Sequence, residues 1–195
     1  MIVRRIRGLT HFEYITVFLS IVMALAVAEL LAGLGRLIRE RQRVRVYWVH
    51  VAWMIMAIMA VTQSWWVVWA SRTHDFSNFL EYFSLILPRF LFVLCAFLLS
   101  PPIAPGESLD LREYYFRHVR WVAFLFATSL SVVALSRSAL GIEPLLTWLN
   151  AIRAIIIGMF VLLGFVKNPR VHEVAAVLVG GLFLIAIGLT SLRGS

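Results

Sequence analysis

The sequence predicts an all-α fold, a polytopic membrane protein built as a bundle of six transmembrane helices, and two observations carry that prediction. Of the 195 residues, 62% are apolar and only 14% charged, with a mean hydropathy of +0.90, far from the balance of a soluble domain. The apolar residues also gather into six runs, each near the roughly 20 residues that a helix needs to cross a hydrocarbon core. The runs lie at about 12–34, 47–70, 79–100, 118–140, 145–166 and 171–192. Together they use nearly all of 1–195, which leaves room for one transmembrane domain.

The first run follows Arg4, Arg5 and Arg7, a pattern that also opens signal peptides, and Ala24-Leu25-Ala26-Val27-Ala28 offers Ala-x-Ala sites. The run continues past those alanines to spanning length, so it reads as a retained helix. Glu13, Thr16, Ser20, Ala24 and Ala28 form one stripe along it, suited to close helix packing, and Glu29 points to nearly the opposite face. An arginine cluster, Arg36, Arg39, Arg41, Arg43 and Arg45, ends this segment. The second run then carries Trp48 at its start and Trp65, Trp66 and Trp69 at its end, as expected of aromatic anchors at two interfaces. Ser71-Arg72-Thr73-His74-Asp75 precedes the third run, which Pro101-Pro102 and Pro105-Gly106 stop. Hydroxyls of the fourth run, Thr128, Ser129, Ser131 and Ser136, are expected to bond their own backbone. Gly141 to Pro144 and Lys167-Asn168-Pro169-Arg170 are short turns, so the last three helices should alternate in direction. Gly158, Gly164, Gly180, Gly181 and Gly188 would let the fifth and sixth helices approach closely. His11-Phe12-Glu13-Tyr14 can be set against Leu111-Arg112-Glu113-Tyr114, but two matching residues do not make an internal repeat.

A net charge of +8 would suggest nucleic acid in a soluble protein, yet 16 of the 18 Lys and Arg residues fall outside or near the ends of the apolar runs. They read as topology signals and as contacts for anionic lipid headgroups, above all at Arg36, Arg39, Arg41, Arg43 and Arg45, and no nucleic-acid partner is expected. Ten lie in the first, third and fifth loops and their flanks, against six on the other side (Arg4, Arg5, Arg7, Arg72, Arg137, Arg193). The positive-inside rule then places both termini outside, with the short loops and arginine-rich composition pointing to a bacterial inner membrane. The size of the bundle leaves little room for a private aqueous path, which argues for a homo-oligomer.

Two arginines stand inside the apolar runs. Arg89 lies at the centre of the third, directly after Pro88, where a charge costs at least about 2.5 kcal/mol on insertion scales and should face protein or water. Pro88 removes one backbone hydrogen bond and is expected to kink the helix. Arg153 lies nine residues into the fifth run, on the same face as Asn150. Glu29 is the carboxylate nearest the midplane by this reading, and Gln63 offers a further polar group. Two central guanidiniums with at most one carboxylate leave a positive surplus that suits an anion. Arg89, Arg153, Asn150, Gln63 and Glu29 are therefore the candidate ligand or ion-pathway residues.

Three readings stay open. In the first the chain is an anion-handling channel or carrier, with Arg89 and Arg153 supplying positive potential. In the second it is a non-catalytic subunit or scaffold in which the same residues fasten helices through Asn150, Gln63, Glu29 or backbone carbonyls. In the third, His50, His118 and His172, expected at one depth in the first turns of the second, fourth and sixth helices, hold a metal or haem, with Glu173 adjacent. No His-x-x-x-His or Glu-x-x-His spacing supports that third reading, and no cofactor is expected. Catalysis finds little support either. Lys167 lies at a span end rather than where a retinal Schiff base would need it, no phosphate-cradling Gly-rich loop occurs, and an intramembrane serine protease would need a hydroxyl paired with a buried histidine, whereas every histidine falls near a span boundary. Cys95 is the single cysteine, so it cannot form an intrachain disulfide, and it reads as packing.

Overall fold

The computed structural model describes residues 11–70, 72, 78–104 and 106–192. Arg4, Arg5, Arg7, Ser71, Thr73, His74, Asp75, Pro105 and Arg193, all used in the sequence argument, lie outside the described residues. Six helices follow in order: α1 (His11–Arg39), α2 (Trp48–Ala70), α3 (Phe79–Leu99), α4 (Leu111–Ala139), α5 (Trp148–Phe165) and α6 (Pro169–Leu192). Each is long and apolar enough to cross a bilayer. The chain is an all-α, multi-pass membrane protein.

Two helices extend well beyond the apolar runs read in the sequence. α1 runs on to Arg39, five residues past the apolar run, because Glu29 and Arg36 pair at 2.8 Å along its flank and basic residues suit its C-terminal end. α4 begins at Leu111, seven residues before the apolar run, because Asp110 caps it by accepting from the N–H groups of Arg112 (2.9 Å) and Glu113 (3.1 Å). Asn78 and Thr147 cap α3 and α5 in the same way.

Neighbouring helices close a ring. α2 packs on α3, α3 on α4, α4 on α5, α5 on α6, and α6 returns to α2, while α1 lies against α2 and α3. Many large apolar side chains face outward, among them Phe97 on α3, Trp121 on α4, Leu162 on α5 and Val177 on α6, as a lipid-solvated surface requires. Trp48, Trp65, Trp66 and Trp69 are exposed at the two ends of α2. On one side of the bundle the α1–α2 and α3–α4 connections pair through two-residue parallel strands, β1 (Val44–Arg45) and β2 (Leu109–Asp110), with Arg45 and Asp110 3.4 Å apart. The ring interior is closed at mid-height by aromatic rings. Phe92 meets Phe126 at 5.6 Å, Phe126 stacks on Phe160 at 5.1 Å, and Phe160 meets Trp53 at 5.2 Å.

One close approach of segments is at a glycine that the sequence did not single out. A Cβ on Gly33 of α1 would stand 2.6 Å from Ser100 Oγ and 2.9 Å from Met54 Cε, so only glycine lets these segments meet. Ser100 Oγ there donates to Glu29 O at 3.1 Å. Of the five glycines expected to mediate packing, Gly164 (against Phe124) and Gly180 (against Met56) do so, whereas Gly158, Gly181 and Gly188 have open space around them. Hydroxyls of Ser20, Ser131 and Ser136 bond their own helix, as hydroxyls in membrane helices commonly do. Ser129 instead donates to Pro88 O at 3.4 Å across to α3.

Candidate functional site

Above the aromatic layer, between α2, α3, α4, α5 and α6, lies a cavity of about 130 Å³. Its polar lining is Arg89, Arg153, Gln63 and Ser64, and the rest is apolar, including Phe92, Leu130, Ile156 and Phe183. Three of the five candidate pathway residues thus meet at one place, contributed by α2, α3 and α5.

Arg89, in the middle of α3, is 2% exposed. Its Nη1 donates to Leu85 O at 2.6 Å and its Nη2 to Ser64 O on α2 at 3.2 Å, while Nε is buried without an acceptor. Both acceptors are carbonyls inside helices, where the main-chain N–H four residues on is the ordinary donor. Among the described residues no carboxylate pairs with the guanidinium. A smaller void of about 20 Å³ on its other side is lined by Arg89 together with Arg137 of α4. Arg137 was read in the sequence as a loop charge, yet its side chain is only 17% exposed and its Nη1 is buried without an acceptor.

Arg153 is the sixth residue of α5 and not the ninth of a span, because the helix starts at Trp148 and the preceding residues fold back across its end. Arg153 Nη1 donates to Glu143 (3.2 and 3.1 Å to its two oxygens) and to Asn150 Oδ1 (2.6 Å). Arg137 Nε donates to the same Glu143 at 3.1 Å, and Thr147 Oγ1 adds a bond at 3.2 Å. Glu143 reaches both arginines because Gly141, at φ +67°, reverses the chain, and the N–H groups of Ile142 and Glu143 both return to Arg137 O. Burial pushes the Glu143 carboxyl up, but Arg153 and Arg137 outweigh it and hold the group below the usual carboxylate range. The fork of bonds draws α4 and α5 together at this end.

The electrostatic result is asymmetric. Glu143 pairs with Arg137 and Arg153 while Arg89 stands beside them, and the described residues lining the cavity and the smaller void include no Asp or Glu. Arg89 Nε and Arg137 Nη1 are buried donors without partners, and such groups carry the full cost of desolvation until something accepts from them.

The remaining candidates fall elsewhere. Asn150 does not line the cavity; its Oδ1 accepts from Arg153 and its Nδ2 donates to Pro144 O at 3.1 Å, so it orients Arg153. Glu29 is not in the site at all. It faces the other end of the bundle and pairs with Arg36, because its position on α1 lies past the midpoint and toward the basic cluster. Within that cluster Arg39, Arg41, Arg43 and Arg45 are exposed, with Arg43 3.8 Å from Glu40.

The histidines gather below the aromatic layer. His50 and His172 occupy first turns of α2 and α6, but His118 is two turns into α4, since that helix starts earlier than expected. Trp53 Nε1 donates to Tyr115 Oη (3.1 Å), Tyr115 Oη donates to His172 Nδ1 (2.8 Å), and His172 Nε2 donates to Val166 O (2.8 Å). The indole is a donor only and the carbonyl an acceptor only, which puts a proton on His172 Nε2 and leaves the Tyr115 hydroxyl proton with Nδ1 as its acceptor. His50 Nε2 donates to Leu99 O at 2.8 Å and His118 Nδ1 to Tyr114 O at 2.9 Å. Among the described residues no group of three His, Cys, Asp or Glu side chains is placed to hold a metal ion. Cys95 is packed in the core.

Comparison of the chain with family models, with curated proteins and with solved structures found no match to any of them.

Proposed function

We propose that this membrane protein is an anion carrier or anion-binding transport subunit, with its binding site in the cavity lined by Arg89, Arg153 and Gln63 and with Arg137 adding positive potential from behind. The observation that carries the reading is the surplus of buried guanidinium over carboxylate beside a partly open cavity, with one donor each on Arg89 and Arg137 lacking any acceptor. A small anion in the cavity would be drawn by that positive surplus and would meet Arg89 and Arg153, which line it, and in a low-dielectric bundle each charge-assisted bond is strong. A cavity of about 130 Å³ has room for an anion with a few waters. The aromatic layer of Phe92, Phe126, Phe160 and Trp53 favours a carrier over a continuously open channel. Orientation by the positive-inside rule puts the paired β1–β2 side in the cytoplasm and the arginine cavity in the outer half. The exposed Arg39, Arg41, Arg43 and Arg45 would then meet anionic headgroups of a bacterial inner membrane. Self-association of such small bundles belongs to the same proposal.

A second reading has its own observation. Arg89 joins α3 to α2 through Ser64 O, and the Arg137–Glu143–Arg153 fork joins α4 to α5, which is how a structural subunit would fasten its helices. The two are separated by flux. Proteoliposomes holding wild type, Arg89→Gln or no protein are loaded for chloride and nitrate efflux. The carrier reading predicts wild-type flux above empty vesicles that is lost in Arg89→Gln. No flux from folded wild-type protein would remove transport of those ions and favour the fastener.

A further inference from the structure

We infer that the anion this site takes is amphiphilic, a carboxylate or phosphate head on a single apolar chain, and that it enters sideways from the bilayer between α4 and α5. The inference rests on the anion-site reading above and specifies its ligand. Arg153 lines the cavity and also an open groove of about 550 Å³ on the outer face of the bundle, lined by Ala134, Leu145, Ala154 and Ile157 and by the polar Thr147 and Asn150. The groove lies within the roughly 300–1,000 Å³ typical of ligand sites, whereas the cavity by itself is below it and suits a head rather than a whole ligand.

Three features favour an amphiphile over an inorganic ion. All three hydrogen bonds of Arg153 use Nη1, leaving Nε and Nη2 for a planar or tetrahedral oxyanion at the boundary between the two spaces. Apart from Arg89, Arg153, Gln63 and Ser64 the cavity wall is apolar, so a hydrated ion would lose water without finding enough replacement partners. The groove wall is mostly apolar, with Leu145, Leu146 and Ile157 beside the exposed Ala151 and Ala154 of α5 and Ala134 of α4, a surface that suits an alkyl chain. No carboxylate lines it among the described residues. A chain lying there gains apolar contact while the head meets Arg153 and then Arg89.

The test is equilibrium binding of radiolabelled laurate, and separately of nitrate, to the protein in zwitterionic nanodiscs, for wild type, Arg153→Gln and Ala154→Trp. Ala154 is exposed and outside the cavity lining, so the tryptophan fills the groove without touching the cavity. The proposal predicts saturable laurate binding at least tenfold tighter than nitrate, weakened tenfold or more by either substitution, with nitrate binding unchanged in Ala154→Trp. Nitrate binding as tight as laurate, with Ala154→Trp inert toward both, would overturn the amphiphile while leaving the anion site standing. Binding of neither ligand to folded wild-type protein would overturn both. Should Arg153→Gln fail to fold, Ala154→Trp alone decides between these outcomes.

Discussion

Neutralising Glu143 is the most informative single change, because this one carboxylate is shared by two guanidiniums. In Glu143→Gln the shape is kept and one amide oxygen can still accept, but Arg137 and Arg153 lose their counter-charge at contact distances of 3.1 Å each. Two unit charges about 4 Å apart attract by about 4 kcal/mol at an effective dielectric of 20. Breaking a buried pair by removing one partner costs about 3–5 kcal/mol. The side chains are 13–17% exposed, and the amide retains part of the bonding, so the expected loss is about 2–4 kcal/mol. At roughly 2–4 °C per kcal/mol for a chain of this length, the melting temperature should fall by about 5–15 °C.

The pH dependence gives an independent check on the same residue. Glu143 is held below the usual carboxylate range in the folded protein, so its contribution is complete above the unfolded value of about 4.3 and is lost as pH falls through the folded value. Wild type should therefore lose stability on that acid limb, and Glu143→Gln should lose less there. Thermal unfolding in nanodiscs between pH 3 and pH 7 reads both quantities. A variant within about 0.5 kcal/mol of wild type, with an unchanged acid limb, would refute the claim that these charges sit in a desolvated cluster.

Other changes follow from the same geometry. Tyr115→Phe strands the Trp53 indole N–H and leaves His172 Nδ1 without its donor, so it should cost about 1–3 kcal/mol in thermal unfolding, whereas a cost below about 0.5 kcal/mol would show that water replaces the hydroxyl. Gly33→Val should cost about 1–3 kcal/mol or reduce assembly, because its Cβ would displace Ser100 and Met54; unchanged folding and yield would contradict the close approach of α1. Adding nitrate at a hundredfold excess over its Kd should stabilise wild type by about 2.7 kcal/mol, and by at least as much in Glu143→Gln, where the uncompensated charge is larger.

The helices were legible because the bilayer forces long apolar runs with internally satisfied backbones, and this signal survives without any knowledge of packing. The ends of α1 and α4 were not read from hydropathy, since both extend into charged sequence. Asp110 followed by Glu113 was the available sign that α4 starts early. Arg89, Arg153 and Gln63 could be named because polar groups inside apolar runs are conspicuous. Glu143 could not, since its position depends on the left-handed turn at Gly141 carrying a loop carboxylate back into the bundle. Glu29 was drawn into the candidate set by depth alone. Depth says nothing of angle or of which helices adjoin, and those are fixed only when α2 to α6 close their ring around Arg89.

The central claim is that Arg89 is held at the midplane for an anion and not to fasten helices, and Arg89→Met tests it most directly. Both carbonyls that Arg89 contacts lie inside helices with main-chain donors, so removing the charge strands nothing and relieves a desolvated guanidinium. Thermal unfolding of wild type and Arg89→Met in nanodiscs, with and without nitrate, should give an anion-free variant at least as stable as wild type and no response to nitrate. An anion-free Arg89→Met less stable than wild type by about 2 kcal/mol or more, with wild type itself indifferent to nitrate, would contradict the claim and make Arg89 a fastener.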